Sequence, residues 1–371
     1  MTVHHVFPYD PGHLGLTLEQ WWRGQLLRWP LAAVVRSRSA ADTVVHVIAD
    51  RSAQLPDAAA PLTLQVHRTL YRNARWHAWG DDWSVGLGRA LHRAGHDDIV
   101  VVHLEGYAAA RLCLRYARGA RCVLVLHGRG TGSVEEHDAA DVSVVLNDDA
   151  RATLRERGVP GDRLLAMIPS IDRGTFHSRR EARPAEPVLG YVGRLEESKG
   201  AFELPAIVRS LADRGVSLEC VGSTPRPADA QRVATEFAGI PVRFCGELAP
   251  IDVAARMRGW GALVLPSYTE GMPLAALEAL SSGIPVVAVA GVLPHILANR
   301  DGVWVGSRDT LADRTRAALA ARQTPEAGWI PDHEQGGRTW DAVYDALPSW
   351  RPRSRPSARP LLGRLRRLRR S

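Results

Sequence analysis

Glu270 and Glu278 stand with seven residues between them, Gly271, Met272, Pro273 and Leu274 first, across the mouth of a helical stretch in Leu265 to Pro285 (LPSYTEGMPLAALEALSSGIP). An apolar strand, Ala262 to Leu265, leads into the turn. Pro273 suits a first helical turn, because its fixed φ matches the helix and its missing N–H would be unpaired there anyway. The N–H groups around Gly271 and Met272 then face an anion, with the positive end of the helix dipole behind them. Glu278 falls about one and a half turns into the helix. One carboxylate meets a ligand at the helix mouth and the other meets it from the side, which makes a cradle for a diphosphate with hydroxyl-rich groups at both ends.

A second segment suits the same ligand. Val188 to Gly200 (VLGYVGRLEESKG) is a short apolar strand running to Gly193, followed by Arg194 and Lys199. Of 47 basic residues only Lys199 is a lysine, so a chain that otherwise writes its cations as arginine keeps one compact ammonium here. That choice points to a local chemical need. A solvated loop charge is the plain alternative, and the nearby glutamate pair weighs against it.

Together these segments closely resemble the nucleotide-sugar half of the retaining GT-B glycosyltransferases, the large family four group. Glu270 and Glu278 stand at that family's E-x7-E spacing. Further matches follow in LHG at Leu126 to Gly128, VVLNDDARATLRERGVP at Val144 to Pro160, IPSIDRGTF at Ile168 to Phe176 and GVLPHIL at Gly291 to Leu297. The resemblance spans roughly Ile99 to Leu347 and is most specific toward the C-terminus. It implies an α/β protein of GT-B fold, two Rossmann-like domains facing across a cleft. It also implies that Glu278 accepts hydrogen bonds from ribose, that Glu270 holds the donor sugar, and that His127 reaches the transferred sugar from the N-terminal domain. It departs from the family where Gly12 and Gly15 are separated rather than paired, and where Ser170-Ile171 replaces Asn-Gly while Asp172 and Phe176 keep their places.

The chain must supply elements that position these groups. At 371 residues it is long enough for two domains with their own cores. Its 45% apolar and 23% charged residues are ordinary for a soluble protein. Continuous apolar runs such as Asp98 to Leu104, Cys122 to Leu126 and Val142 to Leu146 suit strands buried in a parallel sheet. Val188 to Val192, Ser217 to Val221 and Val242 to Cys245 alternate with helical segments, and Gly222 and Gly246 close two of these strands. This alternation specifies parallel sheets with helices on both faces. Glycines at such ends let a nucleotide approach the backbone.

In the first half, Thr2 to Phe7 reads as a strand leading into a loop with Gly12 and His13. Glu19 to Leu27 reads as a helix placing Trp21, Trp22, Leu26 and Leu27 on one face. Glu105 follows the strand Asp98 to Leu104, where open α/β sheets place ligands. Gly12, His13 and Glu105 are therefore candidate acceptor or donor contacts. Trp76, Trp79 and Trp83 either fill the core or line an acceptor pocket, core being the plainer choice. Gly86 and Gly88 lack the third glycine of a dinucleotide fingerprint. Cys113, Cys122, Cys220 and Cys245 show neither CxxC spacing nor zinc-type histidine partners, and read as reduced packing residues.

The expected domains are 1–176 on the acceptor side, a linker at 177–187, a nucleotide-sugar domain at 188–338, a returning helix at 339–350 and a basic tail at 351–371. The tail holds nine arginines and no acid, so the net charge of +7 falls to about −2 without it. A near-neutral body argues against nucleic acid as partner. The segment 361–370, with Leu361, Leu362, Leu365 and Leu368 at helical spacing among arginines, suits an anionic membrane surface. No signal peptide or long apolar span is legible, which predicts a cytoplasmic protein held peripherally at the inner face of the cell membrane.

With no Asp-x-Asp motif, departure of the diphosphate falls to Arg194, Lys199 and the helix N-terminus, so the expected transfer needs neither metal nor cofactor. The resemblance implies retention of anomeric configuration. The expected activity moves a hexosyl group from a nucleotide sugar to a glycan or lipid-linked acceptor in polysaccharide or glycolipid biosynthesis. The alternatives are a sugar-nucleotide epimerase or phosphorylase of the same fold, and a non-catalytic nucleotide-sugar-binding partner.

Overall fold

The structure, a computed structural model, describes residues 1–50, 54–56, 60–69, 82–103, 106, 108–128, 134–178, 187–224, 226–321 and 324–347. The chain divides into two compact units, one of Met1–Met167 with the segment from His333 onward, the other of Ile168–Asp332. The division falls between Met167 and Ile168, ahead of position 176, and residues 179–186 of the expected linker lie outside the described residues.

The first unit is built on β1 (Val3–Phe7), β2 (Thr43–Ala49), β3 (Thr63–Arg68), β4 (Ile99–His103), β5 (Arg121–Val125), β6 (Val142–Val145) and β7 (Leu164–Ala166), all parallel in the order β3-β2-β1-β4-β5-β6-β7. Every residue of β4 is buried, whereas β3 at the edge alternates toward solvent. This is the pattern expected when only inner strands are covered on both faces. Leu87 and Leu91 of the helix Val85–Arg93 pack with Leu112 and Cys113 of the helix Ala108–Tyr116 against Val100, Val102 and Leu124.

The second unit carries β8 (Val188–Val192), β9 (Ser217–Val221), β10 (Val242–Gly246), β11 (Ala262–Leu265), β12 (Val286–Val289) and β13 (Val303–Gly306), parallel in the order β10-β9-β8-β11-β12-β13. In chain order this is 3-2-1-4-5-6, the Rossmann arrangement, whose ligand crevice opens where the order reverses, here between β8 and β11.

Several expectations need correction. Leu27 is 54% exposed, while Trp21 and Trp22 are buried, so the apolar face of the helix Leu18–Leu26 ends before Leu27. Trp83 is a core residue packed on Tyr116, with ring centroids 5.3 Å apart; Trp76 and Trp79 lie outside the described residues. Pro273 is not inside the first helical turn. It is the extended N-cap, with ψ 111°, and the helix is Leu274–Ser281. The helical segment between β8 and β9, which the sequence suggests as one helix from Phe202 to Arg214, is a helix Leu204–Ser210 flanked by the 3-10 turns Ala201–Glu203 and Ala212–Arg214. The strand β13 and the helix Pro250–Met257 had no sequence-based prediction. The last helix is His333–Ala346, starting well before 339. Its Gly336-Gly337 pair reads as a helix breaker, yet a Cβ on Gly337 would sit 2.7 Å from the Arg36 carbonyl carbon. The glycine lets this helix lie close to the chain just past the helix Leu31–Val34. All four cysteines are free, three of them buried.

Candidate functional site

At the C-terminal ends of the second sheet, Gly193, Gly222 and Gly246 lie side by side. Gly193 N–H donates to the Val221 carbonyl at 2.9 Å and Gly222 N–H donates to the Gly246 carbonyl at 2.8 Å. Gly222 has φ 134°, and a Cβ there would fall 2.1 Å from the Gly193 carbonyl oxygen. Its bare Cα thus serves the approach of two chain segments, where the sequence suggested room for a nucleotide.

Lys199 ends a 3-10 turn, Glu197–Lys199, and Gly200 after it adopts φ 62°. A Cβ on Gly200 would meet the Pro266 carbonyl oxygen at 2.0 Å. This contact seats the lysine turn against the loop leaving β11, and Tyr268 N–H ties the two by donating to the Ser198 carbonyl at 3.1 Å. Lys199 Nζ consequently donates to both carboxylate oxygens of Glu270, at 2.9 and 3.0 Å, and Ser267 Oγ donates to Glu270 Oε1 at 2.7 Å. Residues 71 positions apart meet where the strand order reverses. Arg194 Nη2 lies 2.9 Å from Glu196 Oε1, which also accepts from Ser198 Oγ at 2.6 Å. Each expected cation therefore has a carboxylate beside it, and the field they present is gentler than two bare charges would give.

Gly271, Met272, Pro273, Leu274 and Glu278 follow in line. Met272 and Pro273 are buried, Glu278 is half-buried on the helix Leu274–Ser281, and Pro273 provides no side-chain cap. In the first turn Ala276 N–H donates to the Pro273 carbonyl at 3.1 Å, and the N–H groups ahead of it precede the intrahelical acceptors, at the positive end of the helix dipole.

Sequence reasoning missed Arg308, which follows β13. Its guanidinium donates to the Pro266 carbonyl at 2.9 Å and the Ser267 carbonyl at 3.1 Å, and lies 3.6 Å from the Tyr268 ring centroid. Tyr268 OH donates to Glu203 Oε1 at 3.0 Å. The loop bearing Glu270 is thereby pinned from two sides. Its sequence signal was a second cation directly after a strand, hidden because VWVG was not read as a strand.

In the first unit, Gly12 and His13 sit in the loop after β1. His13 Nε2 lies 2.6 Å from Asp82 Oδ2, and Gly12 N–H donates to Asp10 Oδ1 at 2.9 Å. Glu105 lies outside the described residues. His127 follows β5, and its Nε2 is 3.1 Å from His103 Nδ1. His103 Nε2 is in turn 3.0 Å from His5 Nδ1, and His5 Nε2 is 2.8 Å from Tyr344 OH. On the other sheet face, His4, His46 and His67 form a second ladder with contacts of 2.9 and 2.8 Å. Burial drives His4, His5, His46, His67 and His103 toward the neutral form, with His5 down at about 3 and His67 at about 4. Among the described residues no cluster of His, Cys, Asp or Glu is arranged to hold a metal ion, and no helix is long and apolar enough to cross a membrane.

Residues 186–321 match the family model described as glycosyl transferases group 1. Similar curated proteins include the D-inositol 3-phosphate glycosyltransferases of Corynebacterium kroppenstedtii, 32% identical over 46% of this chain and 41% of that protein, and of Mycobacterium tuberculosis, 34% identical over 47% and 39%. The aligned part of the chain thus spans about two fifths of the length of these relatives. Among solved structures, Anabaena Alr3699/HepE in complex with UDP and glucose superposes with a TM-score of 0.64 at 13% identity, over 93% of this chain and 100% of that one. The lipopolysaccharide outer core galactosyltransferase WaaB superposes with a TM-score of 0.62 at 15% identity over the same shares. At such identities these likenesses speak for the fold. By its two Rossmann-like sheets and these likenesses the chain has the GT-B fold, and its residues 186–321 match the model of glycosyl transferases group 1.

Proposed function

We propose that this protein transfers a hexosyl group from a nucleotide sugar to an acceptor hydroxyl, with retention of configuration and without a metal ion. The observation that carries this reading is the Lys199–Glu270 pair at the reversal of strand order, beside the N-terminus of the helix Leu274–Ser281. As the glycosidic bond breaks, charge grows on the departing diphosphate. Lys199, Arg194 and the first-turn N–H groups are the donors placed to take it up. Glu270 orients the ammonium and holds hydroxyls of the transferred sugar, and Glu278 accepts from ribose. Neither is a nucleophile. The acceptor hydroxyl attacks on the face from which the diphosphate leaves and passes its proton to that leaving group. UDP is the first nucleotide to try, since HepE was solved with UDP and glucose. A lipid-linked or glycan acceptor and attachment of 361–370 to an anionic membrane complete the proposal.

The test is thermal stability with UDP, GDP and ADP and their sugar conjugates in EDTA. A ligand at a hundred times its dissociation constant adds about 2.7 kcal/mol. One nucleotide should stabilise the wild type without metal, and Lys199→Ala and Glu278→Ala should abolish the response. An unresponsive protein, or variants that respond like the wild type, would overturn the assignment. Turnover then separates the alternatives: an epimerase consumes donor without acceptor, a phosphorylase releases sugar phosphate, and a binding partner does neither.

A further inference from the structure

The two cations at the ends of the second sheet are each matched by an acid, and the two pairs are built alike. Lys199 Nζ donates to both oxygens of Glu270, whose Oε1 also accepts from Ser267 three residues earlier. Arg194 Nη2 lies against Glu196 Oε1, which also accepts from Ser198 two residues later. A nearby serine thus fixes each carboxylate on its cation. The acids are the more withdrawn partners, with side chains 11% and 12% exposed against 28% for Lys199 and 41% for Arg194. Both also act on one phenol at the end of β8: the Tyr191 hydroxyl is pushed up by burial first, then by Cys220, Glu270 and Glu196. The next charges outward pair with one another, Arg226 with Asp229, Arg232 with Glu197 and Glu236, and Arg308 with Glu203. Acids beside an anion site lower its affinity for anions, and the loss grows with the charge the anion carries.

We propose that Glu196, together with Glu270, makes this site discriminate by charge, weakening its hold on the nucleoside diphosphate product relative to the sugar-nucleotide donor. The inference rests on the reading above for what binds here, and it gives Glu196 a specificity role which that reading does not contain. Donor and product differ in the required way. In the donor the outer phosphate is esterified to the sugar and carries one charge. After transfer the same phosphate is terminal and gives up a second proton near about pH 6, so the product is more negative at neutral pH. Bare cations would hold that product hardest, and release of product limits the turnover of many enzymes. The acids subtract from the field while Lys199 keeps one N–H beyond the two it can give to Glu270. The Glu196 main chain has a separate task, since its carbonyl accepts from Lys199 N–H at 3.2 Å and so builds the lysine turn. Only the side chain is assigned the discrimination.

The experiment is titration calorimetry on the full chain, wild type against Glu196→Gln, with UDP, the β-methyl ester of UDP and UDP-glucose, and with the matching GDP and ADP series. The ester keeps the diphosphate and removes the second ionisation, so it isolates charge from sugar contacts. Glutamine can still accept from Ser198 and Arg194 through its amide oxygen, which preserves the turn. At about pH 8 the variant should bind the free diphosphate about tenfold more tightly than wild type, and the ester and UDP-glucose far less so. At about pH 5.5, below the second ionisation, most of that difference should vanish. Glu270→Gln should show the same preference for the diphosphate, and it decides the matter should Glu196→Gln fail to fold. Equal changes for diphosphate and ester, or no change in either, overturn the proposal, because a residue that only builds the turn would move both alike. A wild type that binds none of the three series overturns the donor-site reading and this inference with it. A wild type that binds one series, with variants that do not separate diphosphate from ester, overturns this inference alone.

Discussion

Lys199 is the residue on which the proposed chemistry turns, and its geometry is set by small neighbours. Ser267 donates to the same Glu270 oxygen that accepts from the ammonium. Ser267→Ala removes that donor, which is worth about 1 kcal/mol. Donor affinity by calorimetry should therefore fall severalfold, roughly five- to tenfold, with little change in melting temperature. Gly200→Ala should do more. At φ 62° with a backbone oxygen 2.0 Å from the new Cβ, the lysine turn must move off the β11 loop. The expected cost is about 1–3 kcal/mol in denaturant unfolding, with loss of the nucleotide response although Lys199 is intact. At this scale the sequence was informative about Lys199 and Glu270, because a lone lysine and a spaced glutamate pair are visible as types. Their meeting was not legible, since it depends on which strand ends lie next to each other.

The loop from β11 to the helix Leu274–Ser281 is an element braced from outside. Arg308 grips two of its carbonyls and lies over Tyr268, a combination that a lysine's compact ammonium does not reproduce. Arg308→Lys should leave the unfolding midpoint within about 1 kcal/mol of wild type while weakening nucleotide binding by an order of magnitude, read in the same titration as Ser267→Ala. An equal loss of stability and binding would make Arg308 a general structural residue. The strand that presents it, β13, is only four residues long and half-buried. A run this short, with glycine at its end, carries too little periodicity to distinguish a strand from a loop.

Across the whole molecule, acid sensitivity should come from the first unit. His5, His46 and His103 are buried and held neutral by desolvation, His5 at about 3. Because their native values lie below the unfolded value of 6.5, the unfolded chain binds more protons as pH falls. Stability is thus full above about 6.5 and is lost on descent toward the native values. Each such histidine removes up to about 2 kcal/mol by pH 5. Denaturant midpoints followed by histidine NMR of the first unit should fall steeply between pH 7 and 5, and a flat profile would mean that water reaches the ladders. The basic end of the chain gives a separate test. The full protein should sediment with vesicles rich in anionic lipid at low salt, and removal of 351–371 should abolish this.

What the sequence determined by itself was the architecture of each unit. Strands buried on both faces must be continuous apolar runs, and their alternation with helices leaves a parallel sheet as the way to pair them. The strand-end placement of Gly193, Gly222 and Gly246 follows from the same pattern. Tertiary structure alone decided which polar groups touch. His5, His103 and His127 come from three chain segments, and their contact is fixed by strand order and register across β1, β4 and β5. Tyr344, from the last helix, meets that ladder at His5. Lys199 reaches Glu270 because a left-handed glycine lets two loops close to van der Waals distance. Such contacts join residues whose separation along the chain carries no periodic signal, so they become readable only once the sheets have been assembled.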